Sequence, residues 1–309
     1  MKVELAILNY DGRRHLEHLL PTAIREAESY GLGCRVVVVD NRSPNDDAPW
    51  VRETYPGVDV WVAPRNEYLF SYNEYAKQST AEILVFLNND LKLCKNFLSP
   101  LLKHFSSPDV FAVSATSRDW EDTKYTFGPI QLRNHHGEYY WLPNFKKQET
   151  CNTFFASGGF MAVERKKFLE IHGFDRLYFP AYCEDLDLCF RGWRKGWRCI
   201  LEPRSIVLHR EHGSWKSATG NKVERLMLRN KLLFEWSSLP KSCGVFERLS
   251  FCLFKALRNF SKGSFWREIT LLQTAFEWKR LKKQVTHPRA TFHDLEKIDR
   301  FLIEKSSLT

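Results

Sequence analysis

The stretch Arg35-Val36-Val37-Val38-Val39-Asp40 decides the fold. Four consecutive valines leave no polar face, the pattern of a strand buried on both sides in a parallel sheet that helices cover. Working outward, Val3–Leu8 is a second apolar run, followed by Asn9-Tyr10-Asp11-Gly12 and a helical pattern through Leu16, Leu19, Leu20 and Ile24 to Gly31. Val58–Val62 and Ile83–Leu87 read as further strands, with a helical segment near Ala48–Tyr55 between the second and third. Alternating strands and helices specify an α/β fold, a mainly parallel sheet with right-handed crossovers.

In such sheets ligands sit at the carboxyl ends of the strands. Those ends read Asn9-Tyr10, Asp40-Asn41 and Asn88-Asn89-Asp90. No Gly-x-Gly-x-x-Gly and no Walker sequence is present, which argues against the usual dinucleotide site and against a P-loop. Asp40, with Asn41 and Ser43 beside it, either caps the next element or accepts hydrogen bonds from a base or a sugar. Asn88-Asn89-Asp90 closes a buried strand with three side chains bearing oxygen, hard ligands suited to Mg2+ or Mn2+ bridging phosphates. The alternative is an Asx-rich turn into a helix at Phe97–Phe105.

After a strand around Val110–Ala115, residues 117–150 are rich in aromatic, charged and turn residues, among them Trp120, Tyr139, Tyr140 and Trp141. They read as a hairpin or long loop that covers a site and holds a sugar ring, or as an irregular surface loop. Phe154–Val163 reads as a buried strand broken by Gly158-Gly159, where a backbone can approach a ligand closely. A helix over Arg165–His172 follows. Glu184-Asp185-Leu186-Asp187 then opens an apolar, basic helical pattern, placing three carboxylates in a first turn where the helix dipole favours anions. The plain reading is an acidic helix start. Trp197–Leu201 and Ile206–Leu208 read as short strands, the second ending in His209, which with Asp90 in the same chain is a candidate metal ligand.

At 309 residues and 43% hydrophobic, the chain can bury a substantial core as one large domain or as a domain with an appendage. The net charge is +9, and all the excess lies late: residues 1–209 carry 26 Lys and Arg against 27 Asp and Glu, residues 210–309 carry 20 against 10. Eight scattered cysteines without a CxxC pair suggest reduced, mostly buried thiols rather than a zinc ribbon or a disulfide framework. The start lacks a signal-peptide pattern, and no apolar run reaches membrane-spanning length. These features lead us to expect a cytoplasmic protein, with attachment to the inner face of a membrane left open. The basic helical patterns Val223–Leu239, Val245–Arg258 and Ser264–Lys283 either lie in an anionic bilayer interface or pack on the rest with a solvated basic face. A nucleic-acid binder is disfavoured, because no recognised module is present and the charge lies away from the acidic motifs.

The order of motifs is itself informative. Val37-Val-Val-Asp-Asn-Arg-Ser, Leu87-Asn-Asn-Asp, Ser157-Gly-Gly-Phe-Met-Ala-Val, Gly173-Phe-Asp, Glu184-Asp-Leu-Asp-Leu-Cys-Phe-Arg and Val207-Leu-His with Gly213-Ser214 follow one another over residues 1–235. This series resembles glycosyltransferase family 2, especially its rhamnosyltransferase-like branch. The resemblance implies a GT-A fold and an inverting, metal-dependent transfer from a nucleotide-diphosphate sugar to a glycan or lipid-linked acceptor. It implies a catalytic domain over 1–215, with 1–115 the nucleotide-sugar half and 116–215 the acceptor half, and a basic helical extension over 216–309.

Carried over by position, Asp40 matches the nucleoside-binding residue, and Asn88-Asn89-Asp90 looks like the Asp-x-Asp motif with its first carboxylate replaced. Asp90 and His209 then hold the metal, and Asp185 matches the general base. Asn9, Tyr10, Asn41, Arg65, Asn66, Asn88 and Asn89 fall on the donor side, and Gly158, Gly159 and Glu184 on the acceptor side. Arg65–Tyr75 resembles a donor segment in which the family usually has glycines, yet Tyr68 and Tyr75 stand there, so a differently shaped donor pocket is expected. The replacement at Asn88 also leaves a second reading, a sugar-nucleotide-binding homologue without catalysis.

Overall fold

The computed structural model describes residues 1–135, 138–145, 149–210, 221–240, 266–285 and 287–304. Its strands are β1 (Val3–Asn9), β2 (Cys34–Asp40), β3 (Asp59–Val62), β4 (Ile83–Asn88), β5 (Leu91–Leu93), β6 (Val110–Asp119), β7 (Tyr125–Phe127), β8 (Ile130–His135), β9 (Glu138–Pro143), β10 (Cys151–Asn152), β11 (Phe160–Glu164) and β12 (Arg198–His209). The described helices are α1 (Arg13–Tyr30), α2 (Asp47–Thr54), α3 (Ser71–Gln78), α4 (Leu98–Leu102), α5 (Arg165–Glu170), α6 (Glu184–Arg194), α7 (Asn221–Ser237), α8 (Trp266–Leu281) and α9 (Phe292–Glu304).

One sheet runs in the order β10-β12-β6-β11-β4-β1-β2-β3, with β5 on β12 and β7 on β6. β1, β2, β3 and β4 are parallel, β11 is antiparallel to both β4 and β6, and β12 is parallel to β6. The valine run explains why the sheet lies between two cores. Successive side chains alternate between faces, so Val37 and Val39 join Leu84, Phe86 and Phe190 on one side. Val36 and Val38 join Leu16, Leu19 and Leu20 of α1 on the other. None of the four valines is more than 4% exposed, and burying each side chain contributes about 1.5–3 kcal/mol.

Three local readings need correction. Phe154–Gly159 is not strand; the strand begins at Phe160, because the glycine pair turns the chain before it enters the sheet. The two strands read at 197–208 are one, Arg198–His209, with an irregularity between Glu202 and Ile206. Pro203 lies in that interval, where it interrupts the ladder because it has no N–H to give. The helix read over Phe97–Phe105 is α over Leu98–Leu102 and 3-10 over Lys103–Ser106.

Residues 117–150 extend β6, add β7 and form the separate β8-β9 hairpin. Trp141 of this hairpin meets Phe234 of α7 edge-on, with ring centroids 6.4 Å apart, which joins the hairpin to the C-terminal helices. The basic C-terminal third is joined to the same core: Leu233, Phe234, Leu239, Ile298 and Leu302 are buried with Phe86 and Phe190. The pattern Val245–Arg258 and the pair Gly213-Ser214 lie outside the described residues. Among the described residues, no helix is long and apolar enough to cross a membrane.

Candidate active site

Parallel register brings the predicted donor residues to one edge. Asn9 lies opposite Asp40, and Leu8 opposite Asn88. Asn9 donates to Asp47 Oδ2 at 2.8 Å and to Asp40 Oδ1 at 3.2 Å, and its own Oδ1 accepts from Asn89 Nδ2 at 2.9 Å. Asp40 Oδ2 accepts the Ser43 N–H at 3.0 Å, so the carboxylate also holds the turn after β2. Asn41 donates to Tyr68 O at 3.1 Å and accepts from the Ser71 hydroxyl. Asn9, Asp40 and Asn41 are each 2% exposed or less, whereas Tyr10 is 49% exposed.

The Arg65–Tyr75 segment runs through a 3-10 turn at Tyr68–Phe70 into α3. Tyr68 adopts φ +54°, a conformation that glycine takes at no steric cost, and its ring meets Phe179 edge-on at 5.7 Å. Asn66 Oδ1 accepts the Tyr68 N–H at 3.0 Å. Arg65 pairs with Glu67, which also pairs with Arg176. Tyr75 is core, its hydroxyl donating to buried Glu4 Oε2 at 2.6 Å.

Asp90 and His209 come together because β5 pairs with the end of β12, with Leu91 opposite His209. His209 Nε2 lies 3.4 Å from Asp90 Oδ2. Asp90 Oδ1 is buried and has no hydrogen-bond partner among the described residues. A buried carboxylate oxygen without a donor, next to an imidazole nitrogen, fits a divalent cation. His15 on α1 also faces this site. Burial holds it below the ordinary histidine value, against the raising effect of the Asp90 charge. Arg210 donates its N–H to Asp90 O at 3.1 Å and stacks its guanidinium over Trp120 at 4.4 Å. No local motif marks His15, Arg210 or Trp120, since only the folded sheet brings them to Asp90.

The acidic helix start divides by direction. Asp185 Oδ2 accepts the Gly158 N–H at 3.1 Å, and Oδ1 accepts the Leu186 N–H at 2.8 Å. A Cβ on Gly158 would lie 2.7 Å from Leu69 Cδ2 and 3.3 Å from Asp185 Cβ. One on Gly159 would lie 2.7 Å from Asn88 Nδ2. The glycine pair is therefore the joint at which the strand end carrying Asn88 meets the helix carrying Asp185.

Burial raises the Asp185 pKa, against the opposing effect of the N–H groups of Gly158 and Leu186. Although protein surrounds the carboxylate, the residue keeps part of its surface open. Glu184, 7% exposed, is pushed up to about 8 by burial and then by the Asp185 charge, and its Oε2 has no hydrogen-bond partner among the described residues.

Asp187 is fully buried and belongs to a different network. Arg191 Nε donates to its Oδ2 at 2.8 Å, and Tyr178 and Ser238 donate to Oδ1 at 3.3 and 3.5 Å. With Asp175 and His287 it forms a cluster whose ligand atoms lie within 4.8 Å of one another, the one such group of three among the described residues. Arg191 already neutralises Asp187 there, so this cluster fits a cation less well than Asp90 does, whose buried Oδ1 has no hydrogen-bond partner among the described residues.

Over 198 residues the chain is 26% identical to the O-antigen biosynthesis protein RfbC of Myxococcus xanthus, covering 58% of this chain and 15% of that protein. It is 41% identical over 56 residues to the rhamnosyltransferase WbbL of Escherichia coli, covering 18% of this chain and 21% of that one. The chain thus matches only a small part of the length of these relatives. Among solved structures, it resembles the mannosyltransferase PcManGT of Pyrobaculum calidifontis in complex with GDP-Man and Mn2+. The TM-score is 0.57 at 16% identity, over 96% of this chain and 78% of that one, a likeness of fold. That fold is GT-A. The family model for glycosyl transferase family 2 matches residues 7–171, more than half of the chain, so the chain belongs to glycosyl transferase family 2.

Proposed function

We propose that the chain is an inverting glycosyltransferase that moves a hexose or deoxyhexose from a nucleotide-diphosphate sugar to a hydroxyl of a glycan or lipid-linked glycan. The observation that carries this reading is the glycine joint, which sets the part-open Asp185 carboxylate beside the strand end that would hold the donor. The rhamnosyltransferase and O-antigen relatives support a deoxyhexose and a cell-envelope glycan.

Residues 1–215 carry the chemistry. Asp185 takes the proton of the acceptor hydroxyl as that oxygen attacks the anomeric carbon. The bond to the diphosphate oxygen breaks on the opposite face, and the configuration inverts. Asn9, Asp40 and Asn41 shape the nucleoside floor, and Asn88 and Asn89 line its inner end. Asp90 and His209 would hold a Mg2+ or Mn2+ ion. When bound, such an ion neutralises charge on the departing diphosphate. Product formation from a panel of UDP-, GDP- and dTDP-sugars with a glycan acceptor tests the reading; donor binding without transfer would leave the inactive homologue.

The raised Glu184 carboxyl has a consequence for stability. As pH rises from the ordinary carboxylate range to about 8, the native chain must hold a proton that the unfolded chain releases, so folding weakens across that window. Glu184→Gln removes this decline. Its Tm relative to wild type is expected to rise between about pH 5 and pH 8; a pH-independent Tm difference would mean Glu184 is ionised in the fold.

For the membrane surface, α8 turns Ile269, Leu272 and Phe276 outward at 44%, 49% and 73% exposure, on one helical face, with Lys279 and Arg280 in its last turn. This supports peripheral attachment to anionic lipid. Co-sedimentation with anionic vesicles at low salt is expected, and Phe276→Asp should reduce it; wild-type protein that stays in the supernatant would remove the membrane from the proposal.

A further inference from the structure

Asn230 lies on α7, beyond the family match and beyond the motifs that carry the chemistry, yet it is 0% exposed. Its Nδ2 is 2.8 Å from Tyr178 O, 2.7 Å from Ala181 O and 3.0 Å from Tyr182 O. Two N–H groups thus serve three carbonyls of one turn, one of them shared. The orientation of the amide is not arbitrary. Its Oδ1 accepts from Arg229 Nη1 at 2.7 Å, and three carbonyls can face only the donor end.

The turn held in this way is the one that launches the catalytic helix. Tyr182 and Cys183 both have left-handed φ values, +72° and +70°, and Glu184 and Asp185 follow directly. Neither residue is glycine, so the conformation must be imposed from outside the turn. Further contacts from the end of the same helix reach the turn and α6: Ser237 Oγ lies 3.2 Å from Tyr178 Oη, and Ser238 Oγ, just past α7, lies 3.5 Å from Asp187 Oδ1 on α6. Arg229 in turn pairs with Glu277 at 2.9 Å, tying α7 to α8.

We infer that Asn230 is a positioning residue of the active site: it clamps the 178–182 turn so that Glu184 and Asp185 enter the site at a fixed angle and remain desolvated. The C-terminal helices are then part of the acceptor side rather than an accessory to it. This role for the clamp in catalysis rests on the transferase reading, whereas its hold on the turn does not.

The test compares wild type with Asn230→Ala, and with Asn230→Ser should the first variant not fold. Hydrogen exchange at the amides of 178–186 is expected to speed up at least about tenfold, while exchange in β1 and β4 stays unchanged. With an active donor and acceptor pair, kcat is expected to fall about tenfold or more at an unchanged donor KM. The acid limb of the kcat profile is expected to move to lower pH, because water reaching Glu184 and Asp185 returns both toward ordinary carboxylate values. A loss of Tm alone, with wild-type exchange at 178–186 and a wild-type acid limb, overturns the inference. Faster exchange in a chain whose wild type transfers no sugar leaves the clamp standing and sinks the transferase reading instead.

Discussion

Asp185→Asn is expected to lower kcat for sugar transfer about 100-fold or more while nucleotide-sugar affinity stays within about twofold of wild type. The amide matches the carboxylate in size and can still place an oxygen against the Gly158 N–H, which Asp185 Oδ2 engages at 3.1 Å. What it cannot do is accept the acceptor's proton. Donor binding is assigned to residues on β1, β2 and β4, so it should survive. Isothermal titration with the donor nucleotide and steady-state kinetics with a saturating acceptor separate the two effects. A mutant that transfers at the wild-type rate removes Asp185 from the role of base. Loss of donor binding together with activity would instead make the residue part of the donor site.

Chelation should cost still more. Excess EDTA is expected to reduce transfer at least about 1,000-fold, and Mn2+ or Mg2+ to restore it, because charge on a departing diphosphate is the largest electrostatic demand of the reaction. Asp90→Asn is expected to weaken Mn2+ binding, read directly by calorimetry, without disturbing the fold. Its Oδ1 has no hydrogen-bond partner among the described residues, so replacing the carboxylate leaves no donor there stranded. His209, 3.4 Å from Asp90 Oδ2, is the second ligand in this assignment, and His209→Ala should act in the same direction. Transfer unaffected by EDTA would release both residues from the metal and leave their pairing structural. Mn2+ binding that survives Asp90→Asn but not Asp187→Asn would move the ion to the cluster of Asp175, Asp187 and His287.

The acidic helix start shows how far a motif can be read without coordinates. Its three carboxylates occur within four residues, and spacing alone does not say which faces the site. In the fold they diverge. Asp185 meets the glycine joint, Glu184 is buried with its Oε2 unpartnered among the described residues, and Asp187 turns to Arg191 and Tyr178. Tyr68 makes a complementary point. Where the resemblance led us to expect a glycine, and its absence a differently shaped donor pocket, Tyr68 adopts a left-handed φ with its ring placed against Phe179.

The parallel sheet, its polar strand ends and the order of the family's motifs were legible in the sequence alone, because each depends on residues close together in the chain. A run of four valines needs cover on both faces wherever it lies, and an Asn-Asn-Asp at the end of a buried strand must emerge at the sheet's mouth. Tertiary structure decided what depends on residues far apart. The pairing of β5 with β12 sets His209 beside Asp90, and the packing of α7 sets Asn230 under the turn before Asp185. The order of motifs named Asp90 and His209 but not their contact, and Asn230 has no local signal, since a hydrogen bond across about 50 residues leaves no periodicity; only the folded chain brings those groups within reach.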